Sequence, residues 1–201
     1  MSYYFKKTIW AIMYLVLTVA FGFGIMFVGE GHDIPKLIAS LLNLGLFTVA
    51  MGLVFYKEGK RAYHTLLEND LTRKRIIETG KDLPIKRAEE YKAYKGFMIG
   101  VFVCLPLILL LIAHLIVSLA TNGQVVTLGQ ISGFAYLIFY EPFAIFFHGE
   151  IYWHSFMITL YAVPYVSLAI GLPYYFGARA KRLEREEIEK TNKQIYGKES
   201  K

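Results

Sequence analysis

The chain has 201 residues, of which 55% are hydrophobic and 16% aromatic, with a mean hydropathy of +0.41. This composition excludes an ordinary soluble domain of this length. The formal net charge is +6, but the basic residues are confined to a few segments, a pattern typical of membrane topology rather than of a nucleic-acid-binding surface. Cys104 is the single cysteine, so no disulfide can form within the chain.

Long apolar stretches without charge are candidate membrane spans, because a helix rises about 1.5 Å per residue across a hydrocarbon core of about 30 Å. We predict an all-α integral membrane protein with one membrane domain over residues 1–201. Its four predicted transmembrane helices cover residues 8–29, 37–56, 96–120 and 154–178. The first stretch is longer than a signal-peptide core and lacks a small-residue cleavage site, so we interpret it as an uncleaved span.

Residues 57–95 form the longest polar segment. Residues 61–79 have a helical apolar pattern, and Gly80 is suited to end that helix. Asp82 and Pro84 then favour the start of a second helix that continues into the third span. The sequence therefore predicts a helical cytoplasmic hairpin, folded back at Gly80.

The distribution of lysine and arginine indicates the topology. Of 22 such residues, two precede the first span, eleven lie in residues 57–95, eight lie in the tail 179–201, and the remaining one is Lys36. Basic residues near span ends stay on the cytoplasmic side, so four spans fit and five would export the tail. We expect a plasma-membrane protein with both termini cytoplasmic and its basic side against anionic lipid head groups. Opposite charges at i,i+4 predict a helical tail.

Residues 131–153 form an aromatic segment that, with four spans, must return to the outer face from which it came. Pro142 disfavours a helical conformation at Glu141 and indicates a break there. Two shapes remain open, an amphipathic helix in the outer interface and a re-entrant segment. We favour a broken pair of short helices that caps the outer end of the bundle.

Ionisable side chains collect on the predicted outer half, and they form a candidate polar pocket. The members are His32, Asp33, His114, Glu141, His148, Glu150 and His154. Imidazole and carboxylate groups suit zinc, with His148, Glu150 and His154 as candidate ligands. The spacing is not diagnostic of a metal, so we interpret these as solvated interfacial groups and predict no cofactor. In the second span, Asn43 is expected to hydrogen-bond to a neighbouring helix, the alternative being a place on a transport path.

The sequence contains no Walker A motif, no G-x-S-x-G and no cysteine cluster. The favoured hypothesis is a non-enzymatic accessory or regulatory subunit that acts through contacts with a membrane protein or a second copy. One alternative is a small transporter or channel subunit with Asn43, His114 and Glu141 along its path. Another is an outward-facing metal-dependent enzyme that uses Glu141, His148, Glu150 and His154.

Overall fold

The computed structural model describes residues 3–26, 33–121, 139 and 151–196, with the side chains of the last range described from residue 160 onward. These residues form α-helices and no strand, which confirms the all-α prediction for the described part. The helices are α1 (Tyr3–Met26), α2 (Asp33–Thr79), α3 (Lys95–Ala120) and α4 (Ile151–Tyr196). Three stretches, Tyr3–Gly22, Ile34–Thr79 and Lys95–Val117, are long and apolar enough to cross a membrane.

The contacts between helices fix their relative directions. Asn43 of α2 meets Thr18 of α1, whereas Glu58, further along α2, meets Lys7, so α1 and α2 are antiparallel. On the other side of α2, Thr48 bonds to Tyr165 of α4. The Gly59 position then faces the Tyr174 backbone, so α2 and α4 run parallel.

α3 packs against α4 in the opposite direction. Gly96 at the start of α3 faces Tyr174, Gly100 faces Ser167, and the Cys104 thiol lies 3.9 Å from the Ala162 carbonyl oxygen. The end of α3 and the start of α4 therefore lie at the same end of the bundle. The starts of α1 and α3 lie at the other end, which we call the charged end.

The helices meet through apolar side chains that are almost wholly buried. The largest of them are Phe47, Met51, Phe55, Ile99, Val103, Phe139, Val166, Ile170 and Tyr174. Many apolar side chains on the outer surface are instead exposed, among them Phe21 at 71%, Leu46 at 69% and Leu119 at 80%. An apolar exterior around an apolar core is expected where lipid rather than water surrounds the helices.

The backbones of α2 and α4 approach each other closely at two glycines. A Cβ added at Gly59 would lie 2.0 Å from the Tyr174 carbonyl oxygen, and one added at Gly177 would lie 2.0 Å from the Tyr56 carbonyl oxygen. Both glycines therefore face the partner helix at the same level. Small residues at this level let two helix backbones touch, as at many interfaces between membrane helices.

The first arm of the predicted hairpin is confirmed, because α2 continues as one helix of 47 residues to Thr79. Gly80 ends it with a φ of +66° and donates its N–H to the Ile76 carbonyl oxygen at 2.8 Å. The predicted helical second arm is wrong, since residues 80–94 contain only turns and irregular structure before α3 begins at Lys95.

The distance that the chain must cover explains why residues 80–94 are irregular rather than helical. The chain must travel back along α2 from Thr79 to the level of Ala62, whose carbonyl oxygen accepts the Tyr91 N–H at 3.1 Å. That distance is about 25 Å along the helix, whereas residues 80–91 would cover only about 18 Å as a helix. A more extended chain reaches easily, at about 3.3 Å per residue.

The predicted helical tail is confirmed, because α4 continues through Arg179 to Tyr196. Arg182 bonds to Glu186 at 2.8 Å and Arg185 bonds to Glu189 at 2.7 Å, both at the i,i+4 spacing. Such exposed pairs stabilise a helix only weakly, and they support the tail without depending on a tertiary contact.

We expect Gly59→Ala and Gly177→Ala each to lower the free energy of unfolding by about 2 kcal/mol, because the added methyl group forces the two backbones apart. Reversible unfolding in mixed detergent micelles measures this. Gly45→Ala is the matched control on α2, since a Cβ there meets no atom within 4 Å. The control is expected to stabilise the protein by up to about 1 kcal/mol through helix propensity. A loss of stability no larger at Gly59 than at Gly45 would contradict the packing described here.

Candidate functional site: a buried polar junction at the charged end

All four helices change from charged to apolar at the charged end of the bundle. The residues at this boundary include Lys7 on α1, Glu58 on α2, Lys95 on α3 and Arg179 on α4. Lys7 contacts Glu58, and Gly177 packs against Tyr56, so these positions lie at similar depth. The boundary is therefore a shared level across the bundle.

Glu58 ties α1 to α2 at this level. Its carboxylate accepts a hydrogen bond from Lys7 Nζ at 2.6 Å and another from the Tyr3 hydroxyl at 3.0 Å. Only 12% of the Glu58 side chain and 21% of the Lys7 side chain are exposed. A charge-assisted bond in such a setting is shorter and stronger than a neutral one, and each partner needs the other to compensate its lost hydration.

Lys95 joins the beginning of α3 to α1 and to the 80–94 return. It is only 2% exposed, and its Nζ donates to the Ala88 carbonyl oxygen at 2.8 Å and to the Glu90 carbonyl oxygen at 2.5 Å. The same ammonium lies 5.3 Å from the centre of the Tyr3 ring and 5.7 Å from that of Tyr4. Two carbonyls and two aromatic faces therefore replace the water that the buried cation has lost.

Asn69 and Glu90 hold the return segment against the part of α2 that extends past the boundary. Asn69 is 4% exposed and Glu90 is 7% exposed. The Asn69 amide donates to the Glu90 carboxylate at 2.8 Å, and its oxygen accepts the Lys86 N–H at 3.2 Å. Arg73 also donates to Glu90. One asparagine thus fixes a backbone group and a carboxylate of the same segment.

Tyr91 continues this contact toward α4. Its ring stacks on Tyr174, with centroids 5.6 Å apart and an interplanar angle of 22°, and it meets the edge of Tyr63 at 6.1 Å. Burial, together with the nearby Tyr175, raises the pKa of the Tyr91 phenol. The return segment is therefore packed on both helices that leave the bundle.

We call this group the polar junction. Its members are the partly buried Tyr3, Lys7 and Glu58 and the buried Asn69, Glu90 and Lys95. The carboxylates, the ammonium groups and the amide are each engaged by other groups of the protein. Such an arrangement is suited to holding helices in one orientation rather than to proton or group transfer, which needs a group able to reach a substrate.

The structure places some of the predicted site residues and not others. Asn43 donates its amide to the Thr18 carbonyl oxygen at 2.8 Å, an interhelical contact of the kind expected. His114 is buried in α3 at 3% exposure. Asp33 is the first residue of α2 and His154 lies in the first turn of α4, but the side chains of both are outside the described set. The remaining candidates lie outside the described residues altogether, namely His32, Glu141, His148 and Glu150.

The candidate pocket therefore stays a prediction. Within the described residues, no group of three or more His, Cys, Asp and Glu side chains is placed to hold a metal ion. The proposed zinc ligands His148, Glu150 and His154 lie outside that test.

Sequence reasoning missed the polar junction. The sequence predicts residues 57–95 as a polar cytoplasmic hairpin and gives no sign that Glu90 and Lys95 are buried. One local signal was available, because Lys95 is the last charged residue before a long apolar run and follows the aromatic residues Tyr91 and Tyr94. The Glu58 partners lie more than fifty residues away, and no local pattern marks them.

We expect Glu58→Gln to lower the free energy of unfolding by about 2 kcal/mol, because it leaves the Lys7 ammonium without its counter-charge in a largely buried site. Combining it with Lys7→Met measures the pair in a double-mutant cycle, with an expected coupling of about 1–2 kcal/mol. Glu78→Gln is the control, since Glu78 lies on the same helix and is exposed. Additive effects of the Glu58 and Lys7 changes would refute the interaction.

The contacts at the charged end thus attach the return segment and α1 to the other helices. In comparisons with known protein families, with curated proteins and with solved structures, the chain matches none of them.

Proposed function

We propose that the protein is a four-span membrane protein that acts as a non-enzymatic accessory or regulatory subunit through two helical extensions on its cytoplasmic side. The extensions are residues 57–79 of α2 and residues 179–196 of α4. The observation that carries the proposal is that both helices continue without interruption past the charged boundary, where the polar junction holds one of them in place.

The proposal of four spans is supported by the directions of the helices. The end of α3 and the start of α4 lie at the same end of the bundle, so the chain between them returns to the side that it left. Within that segment, Phe139 is fully buried, with its ring 5.9 Å from that of Tyr165. Tyr165 bonds to Thr48 within the apolar part of α2, so Phe139 packs at that level of the bundle.

The orientation is supported by charge. Lys6 and Lys7, the basic residues of 57–95 and the basic tail all belong to the charged end. Retention of lysine and arginine near span ends supports a cytoplasmic location for that end. We propose the plasma membrane as the location of the protein.

The extensions are long enough to present a surface away from the lipid. At about 1.5 Å per residue, residues 57–79 reach about 34 Å and residues 179–196 about 27 Å past the boundary. They expose single aliphatic side chains among the charges, namely Leu71, Ile77, Leu183, Ile188 and Ile195. Ile188 and Ile195 lie two helical turns apart on one face, so a membrane-protein partner or a second copy can contact both.

The polar groups in the described spans favour this function over transport. The Asn43 amide is bonded to the Thr18 carbonyl oxygen, which is a packing contact between α1 and α2. In the described part of the bundle, Asp, Glu, Lys and Arg lie only at the ends of the apolar spans, most of them at the charged end. Such residues within a span commonly mark an ion pathway, and the described spans carry none.

After Lys201, we expect a fused cytoplasmic reporter to be active and a fused exported reporter to be inactive. The reason is that α4 runs parallel to α2, so the basic tail lies on the cytoplasmic side. Paired fusions of a cytoplasmic and an exported reporter measure this. A second pair fused after Thr79 is the internal control and is expected to give the same side. Activity of the exported reporter at Lys201 would contradict four spans.

We expect a photo-crosslinking amino acid at Ile188 or Ile195 to give one discrete adduct in intact membranes, because these side chains face away from the bundle. Mass spectrometry of the adduct distinguishes a different membrane protein from a second copy. Leu160 is the matched control, since it is 57% exposed on the same helix but lies within the bundle. Monomer alone at all three positions, or adducts confined to Leu160, would contradict binding through the extension.

A further inference from the structure

A cavity of about 330 Å³ lies at the charged end, between the extension of α2, the 80–94 return and α4. It has the volume of a small-ligand site. We propose that this cavity binds the phosphate-bearing head group of an anionic phospholipid in the cytoplasmic leaflet. The inference uses the four-span topology proposed above but is independent of any protein partner.

The depth of the cavity matches that of a lipid head group. Arg179, one of its lining residues, is the first charged residue after the apolar part of α4. Gly177, two residues earlier, packs against the Tyr56 backbone, and Lys57 begins the charged part of α2. The cavity therefore opens where the helices leave the apolar layer, which is where phosphates lie in a bilayer.

The charges of the cavity favour an anion. Its lining contains Arg179 and Arg182 against Glu186 as the one acidic residue. Arg182 uses its Nε for Glu186, at 2.8 Å, so its two terminal nitrogens remain for another acceptor. In the described part of the chain, Arg179 forms no ion pair, and a guanidinium can bind a phosphate through two parallel hydrogen bonds.

Three tyrosines also line the cavity, one from each of the three elements that form it. Tyr63, Tyr91 and Tyr175 line the cavity, and the stacking of Tyr91 on Tyr174 fixes one of these rings before any ligand arrives. A tyrosine phenol is protonated at neutral pH, so the Tyr91 hydroxyl can act as a donor. Tyrosine is common at the membrane interface because its ring is apolar and its hydroxyl is polar.

The surface below the cavity indicates a lipid rather than a soluble phosphate compound. Leu172 and Phe176 are 41% and 49% exposed, and both lie on the same side of α4 as Arg179. A head group bound at Arg179 would place its acyl chains along these two side chains, within the apolar layer. Basic pockets between membrane helices on the cytoplasmic side bind anionic head groups in this manner.

Native mass spectrometry of the full chain measures retained lipid after titration with phosphatidylglycerol, phosphatidylinositol or phosphatidylcholine. We expect one anionic lipid to be retained per chain and phosphatidylcholine to bind at least tenfold more weakly. Arg179→Gln is expected to weaken binding of the anionic lipid about tenfold, through loss of a charge-assisted contact. Tyr175→Phe is a second variant, which removes a hydroxyl from the lining of the cavity and is expected to weaken lipid binding severalfold.

Arg185→Gln is the matched control, because Arg185 lies on the same helix but outside the cavity. This substitution is expected to leave the lipid affinity within twofold of that of the unmodified chain. Equal losses in the Arg179 and Arg185 variants would mean non-specific attraction to the basic tail and would overturn the site. Equally tight binding of glycerol phosphate or inositol phosphate without acyl chains would overturn the lipid as the ligand. Unchanged retention in both cavity variants would overturn the site itself.

Discussion

The contact between the α2 and α4 backbones at Gly59 and Gly177 is the constraint on which the rest of the structure depends. Each glycine faces a carbonyl oxygen of the other helix, and a single methyl group at either position would collide with it. Two such contacts at one level fix both the distance and the register of the helices. Apolar side chains alone would tolerate a shift along the axis, because lipid-facing and core-facing residues are similar in a membrane protein.

The register has electrostatic consequences. With Gly59 beside Tyr174, the charged part of α2 begins at the level where α4 reaches Arg179, and Glu58 lies where Lys7 and Tyr3 can reach it. A shift of α2 by one turn would move Glu58 about 5.4 Å toward the apolar layer. A buried carboxylate without its partners costs several kcal/mol, so the steric and electrostatic requirements favour the same alignment.

The same reasoning separates what the sequence could predict from what it could not. Helices α1 and α3, the end of α2 at Gly80 and the continuous tail follow from apolar blocks, a glycine stop and i,i+4 charges, all of which are local. The irregular return over residues 80–94 depends on how far α2 projects, and that distance is known only once Tyr91 is placed beside Ala62. Local propensity at Asp82 and Pro84 favoured a helix that was too short to reach.

The polar junction was beyond sequence reasoning for a related reason. A lysine before an apolar run is usually a solvated boundary residue. Lys95 is buried because the Tyr3 and Tyr4 rings of another helix and the Ala88 and Glu90 carbonyl oxygens surround its ammonium. For the candidate outer pocket of histidines and acidic residues, the sequence suggested a site that the structure does not test. Its residues looked concentrated along the chain, yet chain proximity does not decide whether side chains converge, and most of them lie outside the described residues.

These features together explain how a small bundle can hold a long extension in a defined direction. A helix that leaves a membrane through a single attachment is free to bend at the boundary. Here the extension of α2 is restrained by the Ala62–Tyr91 backbone bond and by Asn69, and the return segment is in turn held by Lys95. The cavity is formed by the α2 extension, the return segment and α4, so an anionic lipid bound there would stabilise their arrangement by mass action. The orientation presented to a partner would then depend on the composition of the surrounding membrane.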